Sequence, residues 1–296
     1  MIDIVVLTDK RYLKDSTTDL YKHNVFYEDE LVVNALKNKG LNVLRMAWDD
    51  STFNWSDTKF ALFRTTWDYF ERFIEFSSWL SSVSKKTRLL NSERIIRWNV
   101  DKHYLLDLKN KGIHISKSHF LEKGEQMSLK EIHEKLNWQE TVLKPCVSGA
   151  ARHTYRLNKN NIVDYENVFK QLVANEAMIL QPFQENIVKQ GEVSLMVIEG
   201  KFTHAVLKIA KKGDFRVQDD FGGTVQPYKA TLEEIKFAEN AVKACIDMPI
   251  YARVDVFKDN DGILALSELE LIEPELWFRN NPESSNLLAA AIKKII

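Results

Sequence analysis

The stretch RVDVFKDNDGILALSELELIEPELWFR, Arg253 to Arg279, holds two apolar runs, 254–257 and 263–271, that read as buried strands yet carry Asp255, Glu268 and Glu270. An unpaired carboxylate in such a setting is costly. Side chains alternate across a strand, so Glu268 and Glu270 share a face while Leu269 and Leu271 take the other. A turn signal spans Asp259–Gly262. If it closes a hairpin, Asp255 faces both glutamates from the neighbouring strand. Three converging carboxylates repel one another unless a cation sits among them, and hard oxygen ligands suit Mg2+. The plainer reading is a solvated sheet face with ordinary acids; the apolar surroundings weigh toward the metal.

Cations come next. Lys144 ends the apolar run 141–143 and precedes Pro145, a place where lysine either snorkels or binds an anion. After it, Ser148-Gly149-Ala150-Ala151 is a run of small residues whose backbone N–H groups could close over phosphates. Lys102 lies in the first turns of a helix expected over Asn99–Lys111, near the positive end of its dipole. Singly, each has a bland reading as a solvated lysine or a hairpin turn. Together they sketch a nucleotide site. Arg64-Thr65-Thr66-Trp67-Asp68-Tyr69 follows a buried strand at an expected helix N-terminus, which makes Arg64, Thr66 and Asp68 candidates for holding a substrate carboxylate or amine. Trp67 and Tyr69 read equally as core or as a ligand platform.

These residues need a scaffold. Ile2–Thr8, Leu41–Met46 and Phe60–Arg64 read as strands, with a helix over Glu28–Lys39 capped by Gly40 and an aromatic-rich helix over Asp68–Val83. That alternation indicates a parallel sheet with helical crossovers. Beyond Asn91 the expected order is the helix Asn99–Lys111 and a strand at Ile113–Ser116. A helix follows, opened by the Ser128/Glu131 capping box, then strands Thr141–Lys144 and Arg152–Leu157. Strands dominate Met178–Lys208 around a polar loop at Glu185–Gln190. A second capping box, Thr231/Glu234, opens a helix to Ile246, and Ser284–Ile296 forms a last helix. The expected division is 1–95 as an N-terminal α/β domain, then lobes 96–180 and 181–296 with antiparallel sheets.

Composition limits the classes. With 41 basic and 42 acidic residues among 296, the net charge of −1 gives no bulk attraction to nucleic acid or anionic membrane. Cys146 and Cys245 have no CxxC spacing, which favours reduced thiols and a cytoplasmic setting. MIDIVVLTDKRY lacks a signal-peptide pattern, and no run approaches the ~20 apolar residues of a membrane span. There is no GxxxxGK[ST], GxGxxG or GxSxG motif and no HxxxH cluster.

Taken together, these residues resemble the ATP-grasp superfamily, in particular its glutathione-synthetase-like and D-alanine–D-alanine-ligase-like members, over about Asn99 to Pro274. DKHYLLDLKNKGI resembles the segment in which a lysine, here Lys102, contacts the ATP phosphates. VLKPCVSGAARHTYRL resembles the lysine–proline strand and its phosphate-covering loop, with Lys144 the second lysine and Ser148 and Gly149 in the loop. ILQPFQ resembles the adenine hinge, which implies Gln181 at the exocyclic amine and the backbone of Phe183 and Gln184 at the ring edge. GEVSLMVIEGKFTHAVLK places Glu192 where the family holds the ribose hydroxyls. In AVLKIAKKGDFRVQDDFGG, Lys208 and Arg216 match cationic positions near the transferring phosphate, and Gly222 and Gly223 follow as a backbone contact to the acceptor. SELELIEP resembles E-x-N-x-x-x-P.

The sequence departs from that pattern with Glu270 in place of asparagine, few glycines in the phosphate loop, and a longer hinge over Gln184–Gly191. The resemblance implies an ATP- and magnesium-dependent ligase, with two ions or manganese in their place. It would join a small-molecule carboxylate to an amine through an acyl phosphate. Arg253, two residues from Asp255 and on its face, would stabilise the oxyanion of the tetrahedral intermediate, or else pair structurally with Glu268 or Glu270. Trp277, Arg279 and Asn280 follow the acidic strand and are read as closing the pocket, and a homodimer is compatible with the sequence. Phosphorylation of a small molecule, ring closure as in the cycloserine-forming cyclo-ligases that the sequence also resembles, and non-catalytic ATP binding are the rival outcomes on the same machinery.

Overall fold

The computed structural model describes residues 1–211, 213–214, 216 and 222–296. Its first sheet is built from β1 (Ile2–Thr8), β2 (Val43–Ala47), β3 (Thr58–Thr65) and β4 (Arg88–Leu90), all parallel in the order β2-β1-β3-β4. A parallel sheet is covered on both faces, and the alternation of β1 supplies both. Ile4 and Val6 pack with Val32, Ala35 and Leu36 of α1 (Leu20–Asn38) and Leu288, Ala289 and Ile292 of the C-terminal helix. Val5 and Leu7 join an aromatic core that includes Trp48, Trp55, Phe63 and, from α2 (Phe73–Val83), Phe76 and Leu80.

The helices α3 (Glu93–Asn99) and α4 (Tyr104–Asn110) lead into the second sheet, β5 (His119–Leu121), α5 (Leu129–Leu136), β6 (Glu140–Pro145), β7 (Tyr155–Asn158), α6 (Glu166–Val173) and β8 (Met178–Pro182). Its strands are antiparallel in the order β5-β8-β6-β7. Leu129 and Ile132 of α5 and Phe169 and Val173 of α6 cover one face. The third sheet follows a short helix, α7 (Glu185–Gln190), and comprises β9 (Glu192–Ile198), β10 (Lys201–Ile209), β11 (Thr224–Tyr228), β12 (Tyr251–Lys258) and β13 (Leu264–Glu270), in the order β11-β10-β9-β12-β13. One face packs on Ala238, Ala241 and Val242 of α8 (Leu232–Lys243). The other runs from polar Glu192 and Ser194 into the core shared with the first sheet through Met196 and Ile198. The chain ends with α9 (Glu283–Lys293).

The mixed α/β architecture is as expected, and both capping boxes form. Several elements differ. The first helix starts eight residues early, at Leu20, because the Asp19 carboxylate caps the Lys22 N–H. The helix expected over Asn99–Lys111 is interrupted: the Asp101 carboxylate takes the His103 N–H, and the Lys102 N–H leaves for Cys146 O, so the chain turns before α4. Ile113–Ser116 makes only a single bridge, Ile115 to Leu266. Glu185–Gln190 is helical rather than a loop, with Lys189 paired to Glu185 along its face. The aromatic helix starts at Phe73, after a turn in which Asp68 O accepts from Glu71 and Arg72 N–H. The division expected at 180/181 falls inside β8.

Candidate active site

The hairpin forms with Asp255 opposite Glu268 and Arg253 opposite Glu270. Pairing then slips, Val256 meeting Leu266, so Ser267 is an extra residue in β13. This bulge explains the two leucines that strict alternation misplaces: Leu264 and Leu266 return to the core beside Leu269 and Leu271 while Ser267, Glu268 and Glu270 line a cleft of about 440 Å³. Asp255 is closed off, with 2% of its side chain exposed, whereas Glu268 and Glu270 keep 32% and 25% open to the cleft.

Each acid has a cation. Arg253 holds Asp255 with two guanidinium nitrogens at 2.8–3.1 Å and also pairs with Glu270. Lys208 Nζ lies 3.0 Å from Asp255 and 2.6 Å from Glu192. Lys102 Nζ lies 2.9 Å from Glu268 and donates to Ser148 O at 2.9 Å. Ser194 Oγ completes the set, 2.6 Å from Asp255. Burial alone would raise Asp255, but Arg253 and Lys208 hold it well below the usual carboxylate range. Burial likewise opposes ionisation of Glu268, and Lys102 and Lys144 reverse it. Glu270 differs: burial, helped by Glu268 and Asp255, outweighs Arg253 and pushes it up to about 7. Lys144 has no hydrogen-bond or ion-pair partner among the described residues, and burial pushes its ammonium down. A partly buried ammonium with no counter-charge in contact, beside paired lysines and facing a cleft, is chemically suited to an anion.

The remaining expected residues divide. Ser148, Gly149, Gln181, Phe183, Gln184, Glu192 and Arg216 line the cleft with Lys102, Lys144 and Lys208. Glu192 is engaged by Lys208 rather than standing free for ribose hydroxyls. The Phe183 backbone is engaged at the joint between the sheets, its N–H donating to Glu140 O and its carbonyl accepting from Asn260 Nδ2. Gln181 and Gln184 donate to Ser118 and Ser116. Arg216 pairs with Asp214. Ala150 and Ala151 adopt left-handed backbone, φ 46° and 52°, where glycine is ordinarily used. Gly149 is required for another reason: a Cβ there would stand 2.5 Å from the Phe70 ring.

Arg64, Thr66, Asp68, Gly222 and Gly223 are not among the cleft residues. Arg64 is fully buried, donates to Pro274 O, stacks 5.4 Å from the Phe278 ring and lies 3.7 Å from Asp29. Thr66 is fully buried too, and Asp68 is taken by Trp48 Nε1 and Arg72. The wall is built instead by Arg11, Tyr12, Tyr21, Trp67, Tyr69, Phe70 and Glu71, with Glu273, Glu275 and Trp277 opposite. Arg279 pairs with Glu28 and Glu275, outside the cleft lining. Trp67 Nε1 donates to Glu273 O, and the Tyr69 hydroxyl donates to the Glu273 carboxyl, which burial and nearby Glu270 push well above the usual range. Trp277 adopts φ 45°, strained for a bulky residue, and presents its ring 5.2 Å from the Arg253 guanidinium. A signal for Arg11 and Tyr12 was present: they follow the C-terminal end of β1, where open α/β sheets bind ligands.

Comparison with known proteins finds likeness over most of the chain. Residues 4–91 match the family model described as D-cycloserine synthetase DcsG, N-terminal domain, and residues 119–260 match that of the prokaryotic glutathione synthetase ATP-grasp domain. The cycloserine biosynthesis protein DcsG of Streptomyces lavendulae is 27% identical over 278 residues, covering 88% of this chain and 90% of that protein. The crystal structure of D-cycloserine synthetase DcsG superposes with a TM-score of 0.86 at 26% identity, over 98% of each chain. D-alanine–D-alanine ligase from Bacillus anthracis, complexed with ATP, shares the fold at a TM-score of 0.64 and 17% identity, over 99% of this chain and 97% of that one.

Proposed function

The chain belongs to the ATP-grasp superfamily of ATP-dependent ligases, and from that premise we propose that it activates a small-molecule carboxylate as an acyl phosphate and passes the acyl group to an amine, releasing ADP and phosphate. The supporting observation is the pairing inside the cleft. Asp255, Glu268 and Glu270 are each held by a cation that is itself suited to phosphate: Lys208, Lys102 and Arg253. Phosphoryl transfer needs positioning and charge neutralisation more than covalent help from protein. On this reading the pairs exchange, the lysines and arginine turning to the nucleotide and intermediate as the acids take up metal. The donor set of three carboxylates on one sheet face fits magnesium; when bound, it neutralises charge on the phosphate oxygens.

The chain's own residues then have these tasks. Lys102, Lys144 and Lys208 hold the phosphates, with Arg216 at the margin. A substrate carboxylate oxygen attacks the γ-phosphorus, and ADP leaves. The amine nitrogen attacks the resulting carbonyl carbon, Arg253 stabilises the oxyanion, and phosphate leaves as the acyl C–O bond breaks and the nitrogen gives up its proton to the departing phosphate or to water, forming the amide. Arg11, Tyr12, Tyr21, Trp67 and Tyr69 enclose the organic part of the substrate. Segments 96–180 and 181–296 hold the nucleotide between them, and 1–95 supplies the substrate wall.

A second outcome, ring closure within one substrate, draws support from where the likeness lies. The match to the DcsG N-terminal domain covers the residues, Arg11 to Glu71, that wall the substrate end. The test incubates the protein with ATP, magnesium and candidate amino acids bearing a second amine-type nitrogen, with hydroxylamine added in a parallel sample. Carboxylate-dependent ADP release with a trapped hydroxamate is expected, and product mass distinguishes linear from cyclic. ADP released with a phosphorylated hydroxyl and no hydroxamate would indicate a kinase. No substrate-dependent ADP from any member of a broad carboxylate panel would overturn the reading.

A further inference from the structure

Outside the acids and lysines of the cleft, the turn between α3 and α4 gathers three groups of a different kind. One donor atom each from Asp101, His103 and Cys146 lies within 4.8 Å of the others. We propose that Asp101, the His103 Nδ1 and the Cys146 thiolate form a binding site for a borderline-soft divalent cation of the zinc type, separate from the carboxylate site on β12 and β13.

Three observations carry this. First, the donor set is mixed. Sulfur, imidazole nitrogen and one carboxylate suit zinc and poorly suit magnesium. Second, His103 is already oriented as a ligand: Nδ1 faces Asp101 at 2.6 Å and Nε2 faces Glu122 at 3.1 Å. Glu122 thus stands where a second carboxylate fixes the tautomer of a metal-bound histidine. The ring is further held 4.4 Å from Phe120. Third, Cys146 is 1% exposed and its thiol makes no hydrogen bond among the described residues, unlike Cys245, whose Sγ donates to Ala241 O. Its backbone is pinned on both sides, the N–H to Ala177 O and the carbonyl to the Lys102 N–H. Asp101 and His103 face outward enough to admit the ion, with 40% and 32% of their side chains exposed.

Without metal, burial pushes the Cys146 thiol up to about 12, and the carboxylates beside His103 overcome burial to raise its imidazole. Binding therefore expels protons: the thiol gives up S–H as the sulfur–metal bond forms, and the proton between His103 and Asp101 leaves to solvent. The fourth position is open to water. The ion would tie the start of α4 to the end of β6, the two segments that carry Lys102 and Lys144, so it would act as a clip behind the lysine pair. The site does not depend on which reaction the cleft performs.

Cobalt(II) is the probe, titrated into the full chain in excess magnesium and ADP so that the cleft carboxylates are occupied. One equivalent should give the near-ultraviolet thiolate-to-cobalt absorption, with release of protons measurable in weak buffer. Cys146→Ser should abolish the band and Cys245→Ser should keep it. Glu122→Gln, a surface change that leaves folding intact, should weaken binding by about 10- to 100-fold. Wild-type protein without the band in excess cobalt, or a band that survives Cys146→Ser, overturns the proposal.

Discussion

Arg253 and Asp255 stand two residues apart on one face of β12 and share a bidentate ion pair, while the same guanidinium reaches across the hairpin to Glu270. One cation thus answers two buried acids. Removing it leaves Glu270 without its cation and Asp255 with Lys208 as its remaining counter-charge. Arg253→Met should destabilise the ligand-free protein by about 3–5 kcal/mol, the range for breaking a buried pair on one side. Magnesium with ADP should recover part of that loss, since the acids regain a counter-charge. Urea unfolding with and without Mg·ADP reads both effects; equal losses in the two conditions would contradict the partner exchange. Arg253→Lys keeps charge but not the fork, and turnover should fall roughly 100-fold or more.

The pH dependence of stability follows from Glu270. Its unfolded carboxyl releases a proton near 4.5, its folded one near 7. Between those values the folded state binds more protons, so unfolding free energy falls as pH rises through this window and levels off above it. The size is on the order of 3 kcal/mol. Asp255 acts oppositely: its folded carboxyl is held below the ordinary 3.8, and its contribution is lost only on acidification below that value. Denaturation midpoints across this range should therefore decline toward neutrality in wild type and decline less steeply in Glu270→Gln, with the raised Glu273 carboxyl supplying the slope that remains. A wild-type profile that rises over the same range would refute the assignment.

Arg11 and Arg64 separate binding from structure. Arg11 lines the cleft and pairs with Asp9 at 2.8 Å, whereas Arg64 is sealed against Pro274 O and Phe278. Arg11→Lys, which keeps a cation beside the buried Asp9 carboxylate but loses the guanidinium fork, should raise the substrate KM about tenfold or more and leave the melting temperature nearly unchanged. Arg64→Met should lower the melting temperature and leave KM of the surviving enzyme alone. The reverse pattern would return Arg64 to the substrate site.

What was legible in the sequence was what depends on period and local chemistry. Two-residue alternation placed Glu268 beside Glu270, and capping boxes opened α5 and α8 where Ser128 and Thr231 stand. The bulge at Ser267 was not legible, because an extra residue is chosen by pairing across the hairpin rather than by the strand itself. Arg64 was misplaced for a similar reason. A charged residue at a strand end suggests exposure, but Pro274 and Phe278, more than 200 positions away, enclose it. The polar hexamer Glu185–Gln190 buries none of its residues, so its helix leaves no apolar period to read. The cleft wall at Arg11, Tyr12 and Tyr21 comes from the segment after β1, whose neighbours across the cleft are set by the packing of sheets and not by nearby sequence.

Gly149 and Phe70 make the last of these long-range dependencies testable. A methyl group on Gly149 would meet the Phe70 ring at 2.5 and 2.7 Å, well inside contact distance. Phe70 belongs to the aromatic core of the first sheet and itself lines the cleft, so the ring has little room to yield. Gly149→Ala should therefore cost about 1–3 kcal/mol as an overpacked contact, and it should also displace the backbone of the loop that includes Ser148, whose carbonyl holds Lys102. A raised KM for ATP is the functional expectation. Phe70→Leu in the same chain removes the ring edge and should restore much of both losses, giving a coupling energy of roughly 0.5–3 kcal/mol between the two sites. Strictly additive effects would mean that the loop is held by something other than this contact.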